Sequence, residues 1–174
     1  NPFINQSTIR YHSGSGIRTI ISSSYNNSTA VLKITNNTIS NNINTDSGGG
    51  GVQLYWHGQN AVIISGNTIS NNIADYQGGG INADGSKAII SGNTIENNKT
   101  GSVWWVTGEF RLEGSGGGIN ARAETQILNN IIRGNQSSNG GGIRGGGEKI
   151  IARYVMIFKL NDGTRTFLLN LLIN

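Results

Sequence analysis

The sequence contains no cysteine and a single proline, and both facts restrict the classes of protein it can belong to. Without cysteine there is no disulfide, no thiol nucleophile and no thiolate metal site. Because Pro2 is the only proline, no proline-rich linker divides the 174 residues, and we expect one domain over 1–174. No apolar run approaches the roughly 18 residues that a membrane span needs, so a membrane-spanning protein is not expected.

Charged residues are also scarce. Asp, Glu, Lys and Arg make up 13% of the chain, against about a quarter in a typical soluble domain. The net charge is +4, but the basic residues are scattered, whereas a nucleic-acid interface requires basic residues clustered on one face. We therefore expect no nucleic-acid partner. The chain starts at Asn1 with neither an initiator Met nor a signal segment, which predicts a fragment of a longer protein.

Glycine and asparagine dominate instead, with 27 and 25 copies, and they recur in two alternating phrases. The first phrase reads NNTISNN at 36–42, GNTISNN at 66–72, GNTIENN at 92–98 and NNIIRGN at 129–135. The second is Gly-Gly-Gly followed by an aliphatic residue, which is Val52, Ile81, Ile119 or Ile143. Without an insertion at 99–115, the repeating unit is about 24 to 30 residues long, which is typical of a solenoid.

The residue types in these phrases favour short strands over helices. Asn, Gly, Ser and Thr are poor helix formers, and the recurring isoleucines are β-branched. Gly and Asn adopt the left-handed backbone conformation at low cost, so they permit sharp corners between short strands. The pattern predicts an all-β protein, a single-stranded parallel β-helix of about five coils with clear repeats over 30–145. A disordered Gly/Asn-rich tract would not keep its isoleucines in register with its asparagines.

Equivalent residues of successive coils should lie above one another in such a helix. This predicts a buried aliphatic column of Ile39, Ile69, Ile95 and Ile132. It also predicts a ladder of stacked side-chain amides at one corner, made of Asn37, Asn67, Asn93 and Asn130. Stacked amides satisfy each other's hydrogen bonds in a turn that water does not fully reach.

The alternation of GNTISNN-like and GGGI-like phrases resembles the repeat of the right-handed parallel β-helix (pectate-lyase-like) superfamily. The GGGI phrase also resembles repeats of polymorphic outer-membrane and adhesin-like proteins. The resemblance implies a right-handed helix, with the asparagine ladder at the corner between its second and third sheets and the GGGI phrase on its first sheet.

Two regions depart from the repeat. The segment 146–174 is rich in leucine, and it is either a cap that covers the open end of the solenoid or a divergent tail. All three tryptophans lie in insertions, together with Tyr55. Aromatic rings on such excursions either contact a ligand such as a glycan or pack against their own loop. We treat Tyr55, Trp56, Trp104 and Trp105 as candidate ligand-binding residues.

Acidic and polar residues provide further candidates. Asp46, Asp75 and Glu113 each lie three residues before a Gly-Gly-Gly, so the repeat stacks them in one column. Like charges one coil apart repel unless a cation or a basic residue lies between them, and calcium is one candidate cofactor for this column. If the GGGI aliphatics point inward, Gln53, Asn82, Asn120 and Arg144 form an outward polar column, in which Asn82 and Asn120 are candidate ligand-binding residues.

Two functions follow as expectations. The first is a non-catalytic extracellular or cell-surface module for adhesion or contact with a polysaccharide or cell-surface glycan. The second is a polysaccharide lyase or epimerase acting on uronate-containing glycans by β-elimination. Lyases of the superfamily that the sequence resembles place their catalytic groups on or beside the first sheet, which implies Asp75, Asp84, Arg111 and Arg122 as candidates. An Asp84–Arg122 pair is equally compatible with a surface salt bridge.

Overall fold

The computed structural model describes residues 3–20, 31–55, 61–84, 87–106, 109–122, 124–146, 150–153, 155–158 and 167–169. Within these ranges, side chains are described except at 102–106, 109–113, 122 and from 146 onward. Every statement below refers to this part of the chain.

The described residues form strands and no helix, in agreement with the predicted all-β class. The bounds in chain order are β1 (Phe3–Asn5), β2 (Thr8–Arg10), β3 (Ile17–Thr19), β4 (Val31–Thr35), β5 (Thr38–Ser40), β6 (Ile43–Asn44), β7 (Val52–Leu54), β8 (Ala61–Ser65), β9 (Thr68–Ser70), β10 (Ile73–Ala74), β11 (Ile81–Ala83), β12 (Lys87–Ser91), β13 (Thr94–Glu96), β14 (Lys99–Thr100), β15 (Ser102–Val106), β16 (Glu109–Glu113), β17 (Ile119–Arg122), β18 (Thr125–Leu128), β19 (Ile131–Arg133), β20 (Ile143–Gly146), β21 (Ile150–Arg153), β22 (Val155–Phe158) and β23 (Phe167–Leu169).

Apart from β15 and β16, which pair with each other, these strands belong to four sheets, and the chain passes through the sheets in a repeating order. Sheet A contains β1, β4, β8, β12, β18 and β21, and sheet B contains β2, β5, β9, β13, β19, β22 and β23. Sheet C contains β6, β10 and β14, and sheet D contains β3, β7, β11, β17 and β20. From β4 to β17 the chain visits A, B, C and D in turn, so each strand pairs in parallel with its equivalent one repeat away. This is a β-solenoid-like stack of parallel strands.

The core is a set of vertical aliphatic columns, as the repeat predicts. In sheet B the backbone register pairs Ile39 with Ile69 and Ile95 with both Ile69 and Ile132, and all four side chains have no exposed surface. Sheet A contributes a second such column of Ile34, Ile64, Ile90 and Ile127. Because successive side chains of a strand point to opposite faces, these isoleucines all lie on the inner face of their sheets. Their burial is the main force that holds successive repeats together.

Two-residue corners join sheet A to sheet B and sheet B to sheet C. The first residue of each corner has a left-handed backbone, for example Asn36 at φ 55° and Asn41 at φ 56°. Glycine replaces asparagine at equivalent positions such as Gly66. The Asn37 corner joins sheet A to sheet B, and each GGGI phrase leads into a strand of sheet D. Sheet C, with two-residue strands, is an additional side that the sequence pattern did not predict.

Two elements interrupt the parallel stack. Strands β15 and β16 form an antiparallel hairpin inside the predicted 99–115 insertion, with Trp104 opposite Arg111 and Trp105 opposite Phe110. In the segment 146–174, β21 extends sheet A and β22 extends sheet B in parallel, while β23 pairs antiparallel with β22. An antiparallel final strand is compatible both with the predicted cap and with a divergent tail.

Candidate functional site

The four asparagines of the first corner form a continuous hydrogen-bonded ladder. Asn67 Nδ2 donates to Asn93 Oδ1 at 3.0 Å, and the Asn67 backbone N–H donates to the same oxygen at 2.9 Å. Asn37 bonds to Asn67, and Asn93 to Asn130, in the same way. Each of the four side chains is at most 2% exposed. Their amides are therefore used to hold the corner and are not available to a ligand.

A second asparagine ladder, not predicted from the sequence, lies at the corner between sheets B and C. It consists of Asn42, Asn72, Asn98 and Asn135, and Asn72 Nδ2 donates to Asn98 Oδ1 at 3.0 Å. The signal was present in the repeat: the phrase GNTISNN contains two corner doublets, and each ends in a ladder asparagine. Both ladders also tie neighbouring repeats through the main chain, for example from Asn72 Nδ2 to the Ile39 carbonyl at 3.0 Å.

The polar column on sheet D is present in register, but its central members are buried. Gln53, Asn82 and Asn120 are at most 4% exposed, although their strand neighbours Val52 and Ile81 fill the core on the other face. Asn120 Nδ2 donates to Asn82 Oδ1 at 2.8 Å and Asn82 Nδ2 to Gln53 Oε1 at 3.2 Å. The column thus forms a third ladder. Any ligand contact through Asn82 or Asn120 would have to displace these bonds.

The turn before each glycine run covers this third ladder. A Cβ at Gly48 would lie 2.5 Å from Asn82 Nδ2, so glycine is needed for the turn to close over the amide. One repeat later, Gln77 Oε1 accepts a hydrogen bond from Asn120 Nδ2 at 3.2 Å. The glycine-rich phrase therefore has a second role, which is to cover the outer face of sheet D.

An arginine lies at each end of the column. Arg18 pairs in register with Gln53, and its guanidinium lies over the Tyr55 ring at 4.6 Å from the centroid. At the other end, Arg144 Nη1 donates to Asn120 Oδ1 at 3.4 Å. Tyr55, a predicted ligand-binding residue, thus makes a cation–π contact with Arg18. Trp56, predicted with it, lies outside the described residues.

Of the predicted acidic column, Asp46 and Asp75 are neighbours. Burial raises the pKa of the Asp75 carboxyl above its ordinary value, and the negative charge of Asp46 raises it further. The electrostatic repulsion expected between stacked carboxylates is therefore present between these two residues. Tyr76, next in the chain, is 41% exposed beside them.

Glu113 does not continue this column in the backbone register. Its cross-strand partner is Ser102 of the hairpin, while Gly101 takes the place of Asp75 in the next repeat because its N–H bonds to the Ala74 carbonyl. In the part of the chain that the structure describes, no group of three His, Cys, Asp or Glu residues is placed to hold a metal ion. Among the predicted calcium ligands, Asp46 and Asp75 are the two whose side chains are described and lie near each other.

Of the four predicted catalytic residues, Asp84 and Arg122 lie at the ends of sheet D strands, whereas Asp75 directly follows β10 of sheet C and Arg111 lies in the β15–β16 hairpin. Asp75 precedes β11 and Arg111 is in the hairpin that precedes β17, whereas Asp84 follows β11 and Arg122 ends β17. The pairing of Ala83 with Ala121 puts Asp84 and Arg122 at successive positions of one column. The side chains of Arg111 and Arg122 are not among those described.

The hairpin that carries Trp104 and Trp105 is fastened at its base. Its two ends, Gly101 and Gly114, are so close that a Cβ on Gly114 would lie 2.8 Å from the Gly101 nitrogen. From the next repeat, the hydroxyls of Ser137 and Ser138 donate to the Gly114 carbonyl at 2.8 and 2.7 Å. The Gly114 N–H donates to Ser138 Oγ at 2.9 Å, and the Asn139 N–H also reaches the Gly114 carbonyl. We call Gly114 with Ser137–Asn139 the base clamp.

Comparisons with protein-family models, with curated proteins and with solved structures found no match. Within the described residues there is also no helix with the length and apolar character to cross a membrane. The functional assignment therefore depends on the geometry above.

Proposed function

We propose that the chain is a right-handed parallel β-helix of about five coils that serves as a non-catalytic extracellular or cell-surface module. In this proposal the hairpin at 102–113 contacts a polysaccharide or cell-surface glycan. Support for handedness and for the surface location comes from the resemblance of the repeats to pectate-lyase-like and adhesin-like proteins. The base clamp is the single observation that carries the binding role.

The argument for binding is one of preorganisation. A two-stranded hairpin is marginally stable by itself, and ordering it on binding would cost free energy. Here the Gly114 carbonyl accepts three hydrogen bonds, from Ser137, Ser138 and Asn139, and the Gly114 N–H donates a fourth to Ser138, which fastens Gly114 to a scaffold held by three amide ladders. In the preceding repeat the equivalent turn has two residues, Asp75 and Tyr76, whereas the segment from Gly101 to Gly114 has fourteen. A clamped excursion with adjacent tryptophans suits stacking on sugar rings.

A glycan array probed with the full chain tests the proposal. We expect retention on a subset of glycans and a loss of about tenfold in affinity for Trp104→Ala combined with Trp105→Ala, since each aromatic contact contributes about 0.5 to 1.5 kcal/mol. Tyr11→Ala is the matched control, because Tyr11 is a 73% exposed aromatic residue outside the hairpin. Equal binding by the tryptophan variant and the control would contradict the role of the hairpin.

The second candidate function, a polysaccharide lyase or epimerase, is favoured by one observation. Asp75 has a perturbed pKa beside a second carboxylate, and such groups are enriched at catalytic sites. In this function calcium held by Asp46 and Asp75 would neutralise the uronate, and an arginine would act as the base. Incubation with polyuronates and calcium should then yield unsaturated product detected by ultraviolet absorbance. Activity that survives Asp75→Asn would reject this site.

A further inference from the structure

The sequence contains six Asn-x-Ser/Thr sequences, which are acceptors for N-linked glycosylation in secreted proteins. Their asparagines are Asn5, Asn26, Asn27, Asn36, Asn98 and Asn135. In an asparagine-rich chain most such matches arise by chance, so their surroundings in the fold must decide which are usable. Asn26 and Asn27 lie outside the described residues.

Two of the remaining four are committed to the second amide ladder. Asn98 has no exposed surface, and its Nδ2 donates both to the Ile69 carbonyl and to Asn135 Oδ1. Asn135 accepts at Oδ1 from Asn98 and donates from Nδ2 to the Ile95 carbonyl at 2.9 Å. A glycan on either nitrogen would remove hydrogen bonds that join neighbouring repeats.

Asn5, which pairs in register with Thr35, lies close to Asn36 at the corner between sheets A and B, and the environments of the two asparagines differ. Asn5 is half-buried, and its Oδ1 accepts from both Thr35 Oγ1 and Asn36 Nδ2. Asn36 is exposed, and its Nδ2 makes one hydrogen bond, to Asn5 Oδ1 at 3.2 Å. Because a glycosylated amide keeps one N–H, that bond can persist after modification.

The next repeat leaves space for the Asn36 side chain. A Cβ at Gly66, the equivalent corner position, would lie 2.5 Å from Asn36 Oδ1, so glycine is what makes room there. Thr38, the third residue of the acceptor sequence, is exposed as well, whereas the middle residue Asn37 is held in the first ladder. Both recognition side chains of this sequence therefore face solvent in the folded protein.

We infer that Asn36 is an N-glycosylation site. Its Nδ2 forms a bond to the anomeric carbon of an oligosaccharide carried on a lipid diphosphate. The bond from that carbon to the diphosphate oxygen breaks, the lipid diphosphate leaves, and Nδ2 loses one proton. The inference rests on the extracellular location proposed above. The glycan would stand at the corner between sheets A and B, whereas the tryptophan hairpin is inserted between sheets C and D, so it leaves the hairpin uncovered.

Secretion of the full chain from a glycosylating eukaryotic host tests the inference. Glycopeptide mapping of the wild-type protein should find at Asn36 a glycan that peptide N-glycosidase releases, and none at Asn98 or Asn135. Thr38→Ala should abolish this modification. Thr68→Ala is the matched control, because Thr68 stacks on Thr38 in the same strand register and is exposed, but belongs to no acceptor sequence.

Three results would overturn the inference: folded protein unmodified at Asn36, a glycan on Asn98 or Asn135 in folded protein, or modification at Asn36 that persists in Thr38→Ala. If the host does not secrete the chain, translation with glycosylating microsomes gives the same comparison. Glycan-array binding, measured on unglycosylated protein, is a separate readout. Failure of the proposed binding function is therefore distinguishable from failure at Asn36.

Discussion

At the scale of the residue, each corner is made by a doublet in which the two positions have different tasks. In the repeats from β4 to Asn135 the first residue is Asn or Gly because the backbone there is left-handed, as at Asn71 with φ 54°, whereas Gln6 and Tyr11 take this position in the first repeat. The second residue in these repeats is Asn, whose side-chain amide has both a donor and an acceptor and can bond to identical neighbours above and below. The doublet Asn71–Asn72 shows both roles side by side.

Asn67→Ala should be strongly destabilising. It removes the acceptor for the Asn37 backbone and side-chain N–H groups and leaves them buried without partners, at a cost of about 1 to 3 kcal/mol per group. Urea unfolding measures the change. The matched control is Asn71→Gly, which keeps the left-handed corner and should change stability by less than about 0.5 kcal/mol. Similar losses in both variants would show that the ladder adds no stability of its own.

Asp75→Asn should stabilise the protein at neutral pH. Because the pKa of Asp75 is raised in the fold, chiefly by burial and then by Asp46, the folded state binds the proton more tightly than the unfolded state. This contribution is fully present below the unfolded pKa and is lost as pH rises through the folded pKa. The gain from Asp75→Asn should therefore shrink on acidification toward the ordinary value of 3.8. Chemical unfolding across this range measures it, and a gain independent of pH would contradict the assignment.

At the scale of the element, the hairpin is an insertion that the stack does not need. Gly101 bonds to the Ala74 carbonyl and Ser115 to the Tyr76 carbonyl, so the parallel register resumes directly after β16. Gly101 and Gly114 occupy the places that Asp75 and Tyr76 have in the preceding repeat. The backbones of Gly101 and Gly114 can approach each other closely because Gly114 has no Cβ.

Deletion of residues 102–113, joining Gly101 directly to Gly114, should leave the solenoid folded. The resulting turn has the length of the Asp75–Tyr76 turn, and the flanking hydrogen bonds are unchanged. Circular dichroism should show the same cooperative β-sheet transition within a few degrees, while glycan binding is lost. Loss of the folded state would mean that the hairpin belongs to the core, which would contradict its role as a presented element.

At the scale of the whole molecule, stability is distributed along a stack in which each repeat contacts only its neighbours. Strands β8 and β12 are paired on both sides, and their residues Ile64 and Ile90 have no exposed surface. Strand β1 pairs with β4 alone among the described strands, and Phe3 is 72% exposed. Such one-dimensional architectures open from their ends.

Hydrogen exchange should therefore be graded along the chain. We expect amides in Ala61–Ser65 and Lys87–Ser91 to exchange most slowly and those in Phe3–Asn5 to exchange sooner, because opening an end repeat breaks one interface and opening a central repeat breaks two. Exchange followed by mass spectrometry at neutral pH measures this gradient. Uniform protection across these strands would indicate a single cooperative unit instead.

The sequence by itself determined the strand class, the repeat, and the vertical registry of residues such as Ile69 and Asn67. These follow from periodicity alone, since identical residues at a fixed spacing must occupy identical places. Tertiary structure decided what surrounds each column. The alternation along β11 and β17 puts Asn82 and Asn120 on the face opposite the core, but it contains no information that the turn at Gly48 folds over them.

The same distinction separates the acidic residues. Asp75 and Glu113 are the same number of residues from their glycine runs, but only Asp75 remains in the parallel register. Glu113 belongs to the hairpin, where it pairs antiparallel with Ser102. Sequence spacing measures distance along the chain, and an insertion changes that distance without changing the stack. Burial, clamping and the choice of Asn36 among the four described acceptor asparagines depend on contacts between repeats, which exist only once the chain has folded.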